Sequence, residues 1–133
     1  MKIIYNLKIK SSKEYEAYKK YGQASKKDVD NAFKPNTGPI IKSKKLNNAW
    51  GEFIPGKNSN EIIVNESLLK DIEKGIKGAD KMLEVVIKHE LTHFLDDKDK
   101  DGKDYPGEEG EKFEKKVYGK VIKNYKDALK YVK

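Results

Sequence analysis

His89 and His93 are the two histidines in a chain of 133 residues, and they stand four apart with Glu90 directly after the first. They sit in a run where Met82, Leu83, Val86, Ile87, Glu90, Leu91 and Phe94 recur at helical spacing. On a helix, residues four apart share a face with about 5–6 Å between their Cβ atoms, so both imidazoles can reach a single ion. Glu90 then points to the side of that ion, where it can take a proton from a bound water rather than act as a ligand. Zinc lowers the pKa of such a water toward about 7, so the expected chemistry is hydrolysis with Glu90 as general base. A helical histidine pair is more often an ordinary surface or core feature. Against that reading, both histidines fall together on one strongly patterned helix that follows a β-rich segment.

A catalytic zinc usually has three protein ligands and one open position. With no cysteine and no third histidine, the remaining ligand has to be a carboxylate. Glu108, Glu109, Glu111 and Glu114 follow the helix. Glu114 lies one turn before Val117 and Tyr118 and two before Val121, at the centre of an apolar stripe, while Glu111 is at its edge and Glu108 and Glu109 point away. A carboxylate at the centre of such a stripe is costly to bury without a partner, and a metal is a suitable one. Glu114 is the expected third ligand, with Glu111 as the alternative.

Between the two regions runs a second metal-like pattern. Asp97, Asp99, Asp101 and Gly102, with Glu108 after five more residues, follow the calcium-loop spacing, and the ligands would be Asp97, Asp99, Asp101, the Lys103 carbonyl and Glu108. Asp104 stands where such loops carry an apolar residue, and Pro106 is unusual before an exiting helix. The competing reading is a solvated loop of alternating charge.

The elements that must position these groups are legible in outline. Ile3, Tyr5, Leu7 and Ile9 alternate with polar residues as in a half-buried strand, and Lys13 to Tyr21 carries tyrosines at helical spacing. Ser25 is placed to cap a short helix that ends before Pro35. Short strands are expected at Ile40-Ile41, Ala49 to Ile54 and Glu61 to Asn65, then a helix from Glu66 to Lys77 with Leu68, Leu69, Ile72 and Ile76 on one face, closed by Gly75 and Gly78. Asp80 is placed to cap the histidine helix. From Glu108 onward, Phe113, Val117, Tyr118, Val121, Ile122, Tyr125 and Leu129 form one long amphipathic pattern.

Composition narrows the rest. The length suits one domain spanning residues 1–133, and 36% hydrophobic against 38% charged residues leaves room for a core concentrated on a few faces. The net charge of +7 comes from lysines spread along the chain rather than blocked beside aromatics, which argues against nucleic acid as the partner and supports only a general attraction to acidic ones. No segment approaches the roughly 20 apolar residues of a membrane span, and Met1 to Leu7 reads as no export signal. In a domain cut from a longer secreted precursor, that signal would lie elsewhere; otherwise the chain would be cytoplasmic. Oligomeric state leaves no trace in the sequence.

The run His89-Glu90-Leu91-Thr92-His93-Phe94-Leu95-Asp96, with a preceding strand pair and the later Gly110-Glu111-Lys112-Phe113-Glu114-Lys115-Lys116-Val117-Tyr118-Gly119, resembles the gluzincin group of zinc metallopeptidases. Within it, the combination is similar to the small metallopeptidase toxin domains of bacterial polymorphic toxins. The resemblance implies an α+β, zincin-like fold: a small mixed sheet, an active-site helix and a C-terminal carboxylate-bearing helix. It implies a zinc-dependent endopeptidase acting on a peptide or protein substrate, with zinc on His89, His93 and a glutamate and Glu90 as base. It departs from the thermolysin-like pattern in having Tyr118, not an acid, four residues after Glu114. In such enzymes an edge strand pairs with the substrate backbone, here Ala49 to Ile54 or Glu61 to Asn65, and Tyr105 and Tyr118 are candidates to stabilise the oxyanion. The rival from another class is a non-catalytic module that binds metal or calcium and a protein partner.

Overall fold

Ile62, Ile63 and Val64 are consecutive and all buried, a pattern that fits a strand covered on both faces rather than one with a solvated side. They form the middle of β3, Glu61–Asn65, and β3 is the centre of a three-stranded sheet in the order β1-β3-β2. The first strand, β1, Ile40–Lys44, runs parallel to β3 with Ile41 opposite Ile62. The second, β2, Gly51–Ile54, runs antiparallel with Phe53 opposite Ile62. These strands belong to a computed structural model that describes residues 12–34, 37–54, 61–97 and 109–132. The expected strand over Ile3 to Ile9 lies outside the described residues.

The helices form where local chemistry starts and stops them. Helix α1, Ser12–Tyr21, buries Glu14, Ala17 and Tyr18, one stripe of its surface. Helix α2, Lys26–Ala32, begins at a capping box: Ser25 Oγ accepts the Asp28 amide at 3.2 Å, and the Ser25 amide donates to Asp28 Oδ2 at 3.3 Å. Asn65 caps α3, Glu66–Glu73, by accepting the Ser67 amide at 3.1 Å. Its side-chain amide donates to the carbonyls of Leu46 and Ala49 at 3.0 and 2.9 Å, tying the β1–β2 connection to the end of β3.

Two helix ends differ from the sequence expectation, and a glycine explains each. The third helix stops at Glu73 rather than Lys77, because Gly75 takes the left-handed conformation at φ 74°. Ile76 therefore falls outside the apolar face and stands exposed. The single long C-terminal pattern is two helices, α5, Glu109–Tyr118, and α6, Tyr125–Tyr131, parted at Gly119 with φ 91°. The second of these is started by Asn124, whose side chain accepts the Asp127 amide at 2.8 Å.

Helix α4, Ala79–Asp97, is the axis of the molecule. It packs against β2 and β3 and against every other helix. Met82, Leu83, Val85, Val86, Ile87, Leu91, Phe94 and Leu95 are buried along it. A helix apolar on most of its surface has to be central, and here its remaining polar positions carry the site. The result is α+β with a small mixed sheet, as the sequence led us to expect. No helix among the described residues is long and apolar enough to cross a membrane.

Candidate active site

The helical spacing of His89 and His93 sets their rings 5.2 Å apart at an interplanar angle of 56°. One donor atom each from His89, Glu90 and His93 lies within 4.8 Å of the other two, a grouping of the kind that can hold a metal ion. Glu90 Oε2 stands 3.9 Å from His89 Nε2, and the Glu90 residue is only 8% exposed.

The neighbouring elements come close because two positions lack a side chain. At Gly51 on β2, a Cβ would sit 2.5 Å from Val86 Cγ1 and 3.5 Å from Glu90 Cγ. The strand can therefore lie directly on the turn of α4 that carries Glu90. At Gly110 on α5, a Cβ would sit 2.5 Å from both Cδ2 and Cε1 of His89 and closer still to Nε2. Near-equal distances to three ring atoms put that position over the face of the imidazole, not in line with Nε2.

Glu114 is buried on α5, with Oε2 against His89 Nδ1, and Oε1 accepts the Ile122 amide at 2.8 Å. With Nδ1 protonated toward this carboxylate, Nε2 of His89 keeps its lone pair for a ligand. Glu114 stands outside the group of donor atoms formed by His89, Glu90 and His93. Glu111, one turn earlier, is exposed. Both glutamates line a cleft of about 570 Å³ together with His89 and Glu90.

The cleft has walls that sequence reasoning missed. Its apolar surface comes from Met82, Val85 and Val86 on α4 and from Val121 and Ile122 after α5, with Trp50 and Gly51 on the sheet side. The Trp50 indole N–H donates to the Lys123 carbonyl at 3.3 Å, bridging 73 residues of sequence, and the ring packs 5.4 Å from that of Tyr125. A single conspicuous tryptophan was the only available signal. Between the two expected substrate-pairing strands, β3 has neighbours on both sides and is therefore no edge, while β2 has no strand beyond it among the described residues.

Tyr118 is placed elsewhere. Its hydroxyl is buried, has no hydrogen-bond partner among the described residues, and does not line the cleft. Burial pushes its pKa well up, and the carboxylates of Glu84, Glu14 and Glu114 add to the shift. This is the environment of a second polar cluster behind α4, where the fully buried Lys88 ammonium lies 2.8 Å from Glu14 and 3.4 Å from Glu84. Tyr105, the calcium-loop ligands Asp99, Asp101, Lys103 and Glu108, and the side chains of Asp97 and Glu109 lie outside the described residues.

Two imidazoles and nearby carboxylates, with no thiolate in the chain, make a donor set suited to a borderline divalent metal. With His89 and Glu90 lining a cleft beside a strand edge, they make a site of the kind that metal-dependent hydrolases use. The sequence matches the family model of metallopeptidase toxin 3 over residues 2–119, and the chain belongs to that family. The family's description, a metallopeptidase toxin, indicates a peptidase-type function and so a protein substrate. Comparison with curated proteins and with solved structures finds no match.

Proposed function

We propose that the chain is a zinc-dependent endopeptidase in which His89 and His93 hold the metal and Glu90 is the general base. The observation that carries this reading is the convergence of His89, Glu90 and His93 donor atoms within 4.8 Å, with His89 and Glu90 lining the cleft. Bound there, zinc would supply Lewis acidity and acidify a water at neutral pH. Glu90, almost closed off from bulk solvent, accepts the proton of the attacking water and passes it to the leaving amine. The edge of β2, unpaired among the described residues, would offer backbone N–H and C=O groups to an extended peptide.

The glutamates of α5 divide the remaining work. Because Glu114 already engages His89 Nδ1 and the Ile122 amide, it suits the carboxylate that fixes the ring and raises its basicity. Glu111, on the same cleft one turn away, is then the third ligand. This reverses the order expected from the apolar stripe alone.

Glu90→Gln tests the core of the reading. The variant should bind zinc stoichiometrically and lose a factor of about 10²–10⁴ in kcat on a peptide-library substrate. Full turnover by the variant would overturn Glu90 as the base, and zinc bound with no cleavage by the parent chain would favour a non-catalytic metal-binding module.

A further inference from the structure

Past the catalytic cleft, the end of α5 opens a second groove of about 470 Å³ lined by Glu111, Lys115, Gly119, Lys120, Val121 and Lys123. It shares Glu111, Val121 and Lys123 with the cleft, so the two form one continuous depression. We propose that this groove is a substrate subsite for acidic side chains, so that the preferred substrate is a peptide with an apolar residue at the cleft and Asp or Glu beside it. The proposal rests on the peptidase reading above.

The geometry follows from the break at Gly119. Its left-handed φ of 91° ends α5 and turns the chain back, bringing Lys120 and Lys123 to the same groove as Lys115 on the helix. A Cβ on Gly119 would meet nothing within 4 Å, so the floor is open. Lys120 is partly satisfied by Asp127 at 3.3 Å. Lys115 and Lys123 are exposed and form no ion pair with the described residues. Among the described residues, the one carboxylate on the groove wall is Glu111, whose charge is taken up by the metal in the ligand assignment proposed above. Three lysines then face the groove with Asp127, beside Lys120 and Lys123, as their partial counter-charge, next to a cleft whose apolar lining includes Met82, Val85, Val86 and Ile122. Complementary charge of this kind selects partners and speeds their capture. Among the described residues no aromatic ring lines the groove, so they offer no stacking platform of the kind expected of a single-stranded nucleic-acid site.

The test uses the full chain, as zinc-loaded Glu90→Gln for binding and as the zinc-loaded parent for cleavage. Fluorescent peptides identical except for carrying Asp, Asn or Lys beside a constant apolar residue are compared by anisotropy. The Asp peptide should bind about tenfold more tightly than the Asn peptide at low salt, with the gap closing as ionic strength rises. The double change Lys115→Gln/Lys123→Gln should bring the Asp-to-Asn ratio close to one, and Lys115→Glu/Lys123→Glu should invert it in favour of Lys. Equal binding of Asp and Asn peptides, or a ratio untouched in both double variants, overturns the proposal. So does an oligonucleotide of equal charge that binds tenfold more tightly than the Asp peptide and loses that binding in the double variants. Cleavage by the parent with no Asp preference would sink the groove and leave the peptidase. Asp-selective binding that the double variants abolish, with no peptide cleaved, would do the reverse.

Discussion

Glu114 holds His89 with one carboxylate oxygen and the Ile122 amide with the other. Through this one side chain, the turn that follows α5 is tied to the imidazole of α4, and any loss of the carboxylate frees both. A group that orients a ligand and a group that is a ligand respond differently to removal. Glu114→Gln should weaken zinc binding by about 10–100-fold while leaving the visible spectrum of the cobalt-substituted protein close to that of the parent. Glu111→Gln should change the intensity and position of that spectrum, because the ligand set itself changes. The opposite pattern would make Glu114 the ligand and return Glu111 to the cleft wall.

Gly110 sets helix propensity against site geometry. Gly110 is the second residue of α5, where alanine has only part of the roughly 0.5–1 kcal/mol advantage over glycine that it has in a helix interior. At this position the new methyl group would meet the face of the His89 ring at 2.5 Å from two of its carbons, so the ring or α5 must move. The metal-free Gly110→Ala protein should therefore melt no higher than the parent, because moving the ring disturbs its contact with Glu114, and should bind zinc at least about tenfold more weakly, a loss of the size seen when a ligand's support is disturbed. A competition titration against a chromogenic chelator, run beside thermal unfolding, reads both quantities. Unchanged affinity would mean that the ring does not need the space that glycine leaves.

How far the sequence foretold this site depends on the range of each interaction. His89, Glu90 and His93 are separated by at most four residues, and helical period alone places them together. That Glu61 to Asn65 forms a strand was readable from Ile62, Ile63 and Val64, though not that it is central rather than an edge, and the start of α2 was readable from Ser25. The cleft was not readable, because its walls meet only through long-range contacts such as Trp50 with Lys123. The helix break at Gly119 was hidden by an apolar pattern that continues through Val121 and Ile122 in register, although the backbone leaves the helix. Lys88 was lost in a chain rich in lysine: only its i+4 relation to Glu84, and the place of Glu14 on the Ala17–Tyr18 stripe, hinted that it was inside.

Tyr125 gives the fold an alkaline limit that can be traced to one hydrogen bond. Its hydroxyl donates to Asp71 Oδ2 at 2.6 Å, and its pKa rises from 10.0 to about 12 through burial first, then the hydrogen bond and the charge of Asp71. The folded value lies above the unfolded one, so the contribution is fully present below about pH 10 and is lost as the pH rises through about 12. Tyr125→Phe keeps the ring that packs on Trp50 and removes the bond. Urea denaturation should show a deficit of about 0.5–1.5 kcal/mol at pH 7 that shrinks toward zero between pH 10 and 12. A deficit that does not change with pH would assign the loss to packing.

Lys88 is fully buried between Glu14 and Glu84 and directly precedes His89. Burying three charged groups costs solvation that their attraction only partly returns, so the cluster adds little net stability over an apolar equivalent. Removing one member is another matter, because it leaves the others buried with less compensation. Lys88→Met should destabilise the protein by about 3–5 kcal/mol, a large share of the total for a domain this size. Adding Glu14→Leu to Lys88→Met should recover part of that loss, since the deeper of the two carboxylates, 2% exposed, is then gone. Chemical denaturation of the two single variants and the double variant closes the cycle. Strict additivity would show that Lys88 and Glu14 do not sense each other, and that α1 is held to the metal helix by apolar packing alone.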